Sequence, residues 1–282
     1  MLSSPIIARW AAALVVCVAT HSSAQTPQQF KFNAGPDTAV SITNDFGDVN
    51  VHPGTGRQVI VSASPSSQSI KVEATQSGNR IDVRTRRVQQ GISDPVNYEV
   101  TVPMDARVSV RTAQGQIQIE KLKGDVTAET DSGKISVSDI GSAHVHLRSL
   151  SGPMSVSNVR NGHVELSSIG GPIDMNAVNG PYVSANTTDG KITYRGNFGG
   201  AGDYSLTTHK GDIDVFLPAK GSYPLNAHSI KGTVESDFRP QANSYPDAPS
   251  PAGSTSLTGD SKAGSPSVQL RSFSGKIRVK KQ

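Results

Sequence analysis

Nine segments of this chain follow one pattern: apolar alternation, a small polar residue, two more residues, Gly, and alternation again. They lie at 40–51, 108–119, 126–137, 145–156, 164–175, 183–194, 204–215, 225–236 and 268–279. The pattern Gly falls at 115, 133, 152, 171, 190, 211 and 232, so the spacings are 18, 19, 19, 19, 21 and 21 residues. A period of this length constrains architecture before any other feature does. One unit cannot bury its own apolar face and must stack on copies of itself.

Each unit holds two runs of period two. Val126, Ala128 and Thr130 share a face, as do Val145, Leu147 and Ser149; Ile135 and Val137 share a face in a second run. Such alternation is a strand with one buried side, and apolar residues three and four apart, the mark of a helix, are missing. The pattern predicts an all-β chain folded as a β-solenoid. This is a flattened, parallel β-helix-like coil with about 19–21 residues and two short strands per rung. Rungs about 4.8 Å apart make eight of them roughly 35–40 Å long. Turn signals every 8–12 residues also fit a sandwich of hairpins, but the near-constant register favours the coil. The Gly marks a corner, where positive φ is its expected reason, at Gly133, Gly152 and Gly190 in particular. Eight of the nine copies carry Ser or Thr three residues before it, the exception being Asn44. A hydroxyl there can bond neighbouring backbone. Leu122, Ile140, Val159 and Val178 follow the second run and are expected to plug the opposite corner.

Residues 1–24 read as a secretory signal peptide: Arg9, an apolar stretch over 10–19, then Ser22 and Ala24 at the cleavage site. The stretch is too short to span a bilayer, and no second one reaches membrane length, so no transmembrane segment is expected. The one cysteine, Cys17, lies in this leader, and Val16 before it argues against lipidation. Cleavage after Ala24 leaves no thiol for metal binding or catalysis. Residues 25–105 form a polar leader and an N-terminal strand-rich cap, with alternating runs at 59–63, 70–74, 80–85 and 97–102. Residues 106–282 carry the solenoid repeats, interrupted at 239–267 by a Pro/Ser/Gly-rich insertion expected to be flexible. The pattern resumes at 268 and closes the chain. The expected location is outside the cytoplasm: periplasm, cell surface or medium.

A net charge of +4 and 5% aromatic residues give no nucleic-acid footprint. His144 and His163 occupy one position in successive units, and His146 and Glu165 another, all predicted to point outward. A surface metal site from these four is geometrically conceivable. A solvated face is the favoured reading, and no metal ligand is assigned. Asp174, Asp214 and Glu235 form a further outward column, with Thr193 between and Asp212 nearby. Enzymes that cleave polysaccharides use paired acids, yet Lys134, Lys191 and Lys210 share this register, so a salt-balanced face accounts for it better. P-loop, G-x-S-x-G, H-E-x-x-H and EF-hand patterns are missing. The one Trp is Trp10, in the leader. Tyr182, Tyr204 and Tyr223 fall at related positions, with Tyr204 inward by register. No catalytic residue and no cofactor site is assigned.

Tyr98, Val100, Val102 and Pro103 lead into Val108, Val110, Thr112 and Gly115, then into iterated Ser/Thr-x-x-Gly-x-Ile/Val-x-Val. Over residues 38–281 this resembles the bacterial putative-adhesin family of unknown function, exported β-strand-repeat proteins. The resemblance implies a β-solenoid and an envelope location, and it brings no catalytic residues. The segment 239–267 departs from the pattern. The chain is therefore expected to be an exported, non-catalytic cell-envelope protein, an adhesin-like binding or scaffolding module for an unknown envelope protein or glycan. The competing class is a polysaccharide lyase or hydrolase on a β-helix, which needs a groove with converging carboxylates and aromatic platforms.

Overall fold

The computed structural model of the protein describes residues 27–87, 93–199, 201–220, 223–238, 255–258 and 265–282. The predicted leader lies outside these, as do 239–254 and 259–264 of the predicted insertion. The described residues form strands and no helix. The N-terminal part comprises β1 (Gln28–Asn33), β2 (Ala39–Phe46), β3 (Val49–Pro53), β4 (Gln58–Pro65), β5 (Ile70–Ser77), β6 (Arg80–Arg87), β7 (Val96–Val102), β8 (Arg107–Gln114) and β9 (Ile117–Glu120). The coil continues as β10 (Val126–Thr130), β11 (Ile135–Ile140), β12 (His144–Ser149), β13 (Met154–Val159), β14 (His163–Ser168), β15 (Ile173–Val178), β16 (Tyr182–Thr187), β17 (Ile192–Arg195), β18 (Asp203–Thr208) and β19 (Ile213–Leu217). The C-terminal part holds β20 (Leu225–Ser229), β21 (Val234–Ser236), β22 (Thr255–Thr258), β23 (Ser267–Ser272) and β24 (Ile277–Lys281).

From β8 to β19 successive strands alternate between two 12-stranded sheets, and neighbours within each sheet run parallel. This is the predicted solenoid. Val126, Val145, Val164 and Val183 are register partners and buried, and so are Ala128, Leu147, Leu166 and Ala185. Across the interior they face Ile135, Met154, Ile173 and Ile192 of the second sheet, also buried in register. One continuous apolar cluster fills the space between the sheets. Each fully buried Val, Leu or Ile contributes about 1.5–3 kcal/mol, so the repeated columns are the main source of stability.

The two corners differ from the expectation in an instructive way. Gly133, Gly152 and Gly190 do not hold positive φ; within their column only Gly47 and Gly115 do. Gly is required for a different reason. A Cβ on Gly133 would run into the carbonyl oxygen of Gly115, one on Gly152 into that of Gly133, and one on Gly190 into that of Gly171. The corners stack backbone on backbone, and only a residue without a side chain permits that approach. The preceding Ser or Thr hydroxyl accepts from the Gly N–H at 2.8–3.0 Å at Thr130, Ser168, Thr187, Thr208, Ser229 and Ser272. Left-handed backbone lies at the opposite corner instead. Lys121, Asp139, Asn158 and Ala177 have φ of 53–57°. Each is followed by one of the predicted plugs, Leu122, Ile140, Val159 and Val178, all buried. The left-handed residue acts as a bulge that turns the next side chain inward.

Asn44, the exception in the pattern, lies where the coil meets its N-terminal strands. Its Nδ2 donates to the carbonyls of Phe46 and Val96, and its Oδ1 accepts from the Thr85 hydroxyl at 2.7 Å. Thr85 in turn lies 2.7 Å from the Tyr98 phenol, whose pKa burial pushes up to about 12. An amide has two donors and an acceptor, so it bonds Phe46, Val96 and Thr85 at once; a hydroxyl has one donor only. β1 and β4 pair antiparallel, β4 pairs antiparallel with β7, and β5 pairs antiparallel with β6 at the ends of the two sheets.

At the other end the order of the chain is broken. The last pattern copy, which closes the chain, does not stack on 225–236 but lies inside it. β23 pairs with both β18 and β20, and β24 with both β19 and β21. Residues 255–258, within the predicted insertion, form β22, which pairs antiparallel with β20.

Candidate functional site

Parallel pairing with no register shift turns a repeated outward position into a row. On β12, β14 and β16 this sets His144 beside His163 and His163 beside Tyr182. The ring centroids are 5.1 Å apart for the two imidazoles and 4.5 Å apart for His163 and Tyr182. Asp125 extends the row by accepting from the backbone N–H of His144 at 2.9 Å, with His144 Nδ1 3.3 Å away. One column over, His146 faces Glu165. The Glu165 carboxylate accepts from His163 Nε2 at 3.1 Å and from His146 Nδ1 at 3.3 Å. The hydrogen bond from His163, helped by that from His146, holds the Glu165 carboxyl below its ordinary pKa. Side-chain exposures of 71% for His144, 47% for His146 and 39% for His163 make this an open face.

The sequence-predicted metal candidates, His144, His146, His163 and Glu165, are thus brought together. They form a chain of pairwise contacts in which one carboxylate is shared by two imidazoles. Among the described residues no group of three or more His, Cys, Asp or Glu is arranged to hold a metal ion. Asp125 and Tyr182 belong to the row as well, and sequence reasoning did not place them there. The signal was available, since each precedes the first buried Val of its unit by one residue, as His144 and His163 do.

The acidic column on the other sheet differs from the expected solvent face. Asp174, Thr193 and Asp214 are register neighbours, but Thr193 is only 5% exposed and Asp214 only 6%. Arg278 of β24 lies between Asp214 and Glu235. Arg278 Nε donates to Asp214 at 2.6 Å and its Nη2 to Asp212 at 2.8 Å, while Lys191 Nζ lies 2.6 Å from Asp214. Asp174 lies 3.7 Å from Arg195. Burial pushes the Asp214 pKa up, yet hydrogen bonds from Arg278 and Lys191 outweigh it and hold the carboxyl below its ordinary value. A general acid for glycoside cleavage needs the opposite shift. Of the three tyrosines, Tyr204 is buried as predicted and Tyr223 packs on Phe198 and Phe238, leaving Tyr182 on the outward row.

No helix among the described residues is long and apolar enough to cross a membrane. The profile of one family, Toastrack DUF4097, matches residues 38–280. No curated protein matches the chain. Solved structures similar to it include two bacterial proteins. One is a putative cell adhesion protein from Clostridium sporogenes, 11% identical with a TM-score of 0.32, covering 91% of this chain and 100% of that one. The other is a putative adhesin from Bacteroides fragilis, 13% identical with a TM-score of 0.47, covering 92% of this chain and 98% of that one.

Proposed function

The chain belongs to the Toastrack DUF4097 family, and on that premise we propose that it is an exported, non-catalytic, adhesin-like module of the cell envelope that binds an envelope protein or glycan. The observation that carries this reading is the outward row of Asp125, His144, His163 and Tyr182 with His146 and Glu165 beside it. It offers donors and acceptors at regular spacing on an open face, which suits recognition of an extended polar partner. Reaction chemistry calls instead for convergent groups in a cleft with water excluded. The acids of the other face support the same reading, since Asp174, Asp212 and Asp214 are each taken up by a cation. Export rests on Arg9, the short apolar stretch after it and the Ala24 cleavage site.

The test is a glycan array together with pull-down from solubilised envelopes. It compares the wild-type chain with a variant carrying His144→Ala, His163→Ala and Tyr182→Ala. The expected result is specific capture by the wild type, lost in a variant that melts at the same temperature. Reproducible cleavage of a polysaccharide, abolished by changing Asp174, Asp214 or Glu235, would replace the binding module with an enzyme.

A further inference from the structure

The two C-terminal copies of the pattern fill equivalent positions of the unit. Leu225 and Val268, Ala227 and Leu270, Ser229 and Ser272, and Val234 and Ile277 are register partners, so each pair marks one position of the unit. The rung built by β18 and β19 offers one surface to both. The copy that comes first in the chain, 225–236, does not occupy it. The later copy does, and 225–236 is carried on top. Sequential stacking would have been the shorter route, so something discriminates between the two.

We infer that Arg278, facing Asp212 and Asp214, is the selector that seats the C-terminal copy on β18 and β19. At the position where the two copies meet the buried Asp214, one presents Arg278 and the other Glu235. Arg278 satisfies both acids, with Nε and Nη2 on Asp214 and Nη2 on Asp212. Sequential stacking would bring the Glu235 carboxylate against Asp214, which is 6% exposed and would keep Lys191 as its one described cation. A buried carboxylate opposite a second carboxylate is strongly disfavoured, whereas a charge pair with several hydrogen bonds is tolerated. Opposite charge at one equivalent position of two repeats thus favours one order of stacking over the other, a role well attested for polar groups in other repetitive assemblies. Apolar content points the same way at three of the paired inward positions, where Leu270, Ile277 and Val279 stand against Ala227, Val234 and Ser236, and the other way at one, where Val268 stands against Leu225. The decisive experiment therefore changes charge alone. The inference does not depend on the proposed binding function.

Cysteine pairs introduced into the full chain, with Cys17→Ser, report which copy is seated. Ser205 is the register partner of Gln269. Asn226 is the partner of Gln269 on the far side and would face Ser205 in the sequential stack. In the otherwise unchanged chain, the Ser205→Cys/Gln269→Cys pair should cross-link on mild oxidation and the Ser205→Cys/Asn226→Cys pair should not. Exchanging the charges with Glu235→Arg and Arg278→Glu should reverse the preference by about tenfold or more. Arg278→Gln alone removes the selector without adding repulsion, and should make the 205/226 cross-link appear alongside 205/269. Exclusive 205/269 cross-linking at the original yield in Arg278→Gln would overturn the inference, whatever the doubly exchanged chain does.

Discussion

Gly152 lies so close over Gly133 that a Cβ on Gly152 would enter the space of the Gly133 carbonyl oxygen. The same contact recurs from Gly115 to Gly275. Gly152→Ala, the smallest possible change, should therefore cost about 1–3 kcal/mol by overpacking. Gly141 is the control, because a Cβ there meets Lys123 Cγ at an ordinary 3.4 Å and its φ is not positive. Gly141→Ala should leave stability within about 0.5 kcal/mol. Urea unfolding of the two variants checks this, and equal effects would remove the stacking explanation.

The Ser/Thr position shows one defect. Ser149 is 1% exposed and its Oγ has no hydrogen-bond partner, whereas Ser168 Oγ accepts from the Gly171 N–H at 2.9 Å. Ser168→Ala should lose about 1 kcal/mol, while Ser149→Ala should be neutral or slightly stabilising, since it removes a buried polar atom that gains nothing from burial. Thermal unfolding of the pair measures the difference. A larger loss at Ser149 would show that its hydroxyl is satisfied in solution.

Ala177 sits at φ 53°, in the place that Lys121, Asp139 and Asn158 occupy in neighbouring rungs. Left-handed backbone costs an L-residue roughly 1–2 kcal/mol and costs Gly almost nothing. Ala177→Gly should raise stability by about 0.5–1 kcal/mol after the greater entropy of the unfolded chain is subtracted. A lower melting temperature for the variant would contradict this.

The columns that carry the core, and the neighbour relation of His144 with His163, were legible in the sequence. Constant spacing and parallel pairing force equal positions together. The reason for Gly was not legible, since a tight corner and a close backbone stack call for the same residue. The place of Arg278 was hidden for a different reason. Periodicity states that 225–236 and 268–279 are both rungs, and it is silent on their order. The cation that meets Asp214 followed from that order and was missed with it.

Asp214 links stability to pH. Its carboxyl is held below the ordinary value of 3.8 by Arg278 and Lys191, against the effect of burial. A depressed native pKa means that the unfolded chain takes up the proton first. The contribution is therefore fully present above 3.8 and is lost as pH falls below it towards the native value. The stability gap between the wild type and Asp214→Asn should be constant near neutrality and shrink in acid. A gap that widened on acidification would reverse the assignment.

The most direct test of the account compares the two outer faces for binding to isolated cell envelopes by co-sedimentation. One variant carries His144→Ser, His163→Ser and Tyr182→Ser on the face with the imidazole row. The other carries Ser136→Asn and Ser155→Asn, register partners on the opposite sheet. Loss of the row should weaken binding by about tenfold or more, the effect of removing central contact groups, and the opposite face should bind as the wild type does. Equal binding by all three proteins, or loss confined to the Ser136 and Ser155 variant, would contradict the assignment of the row as the recognition surface.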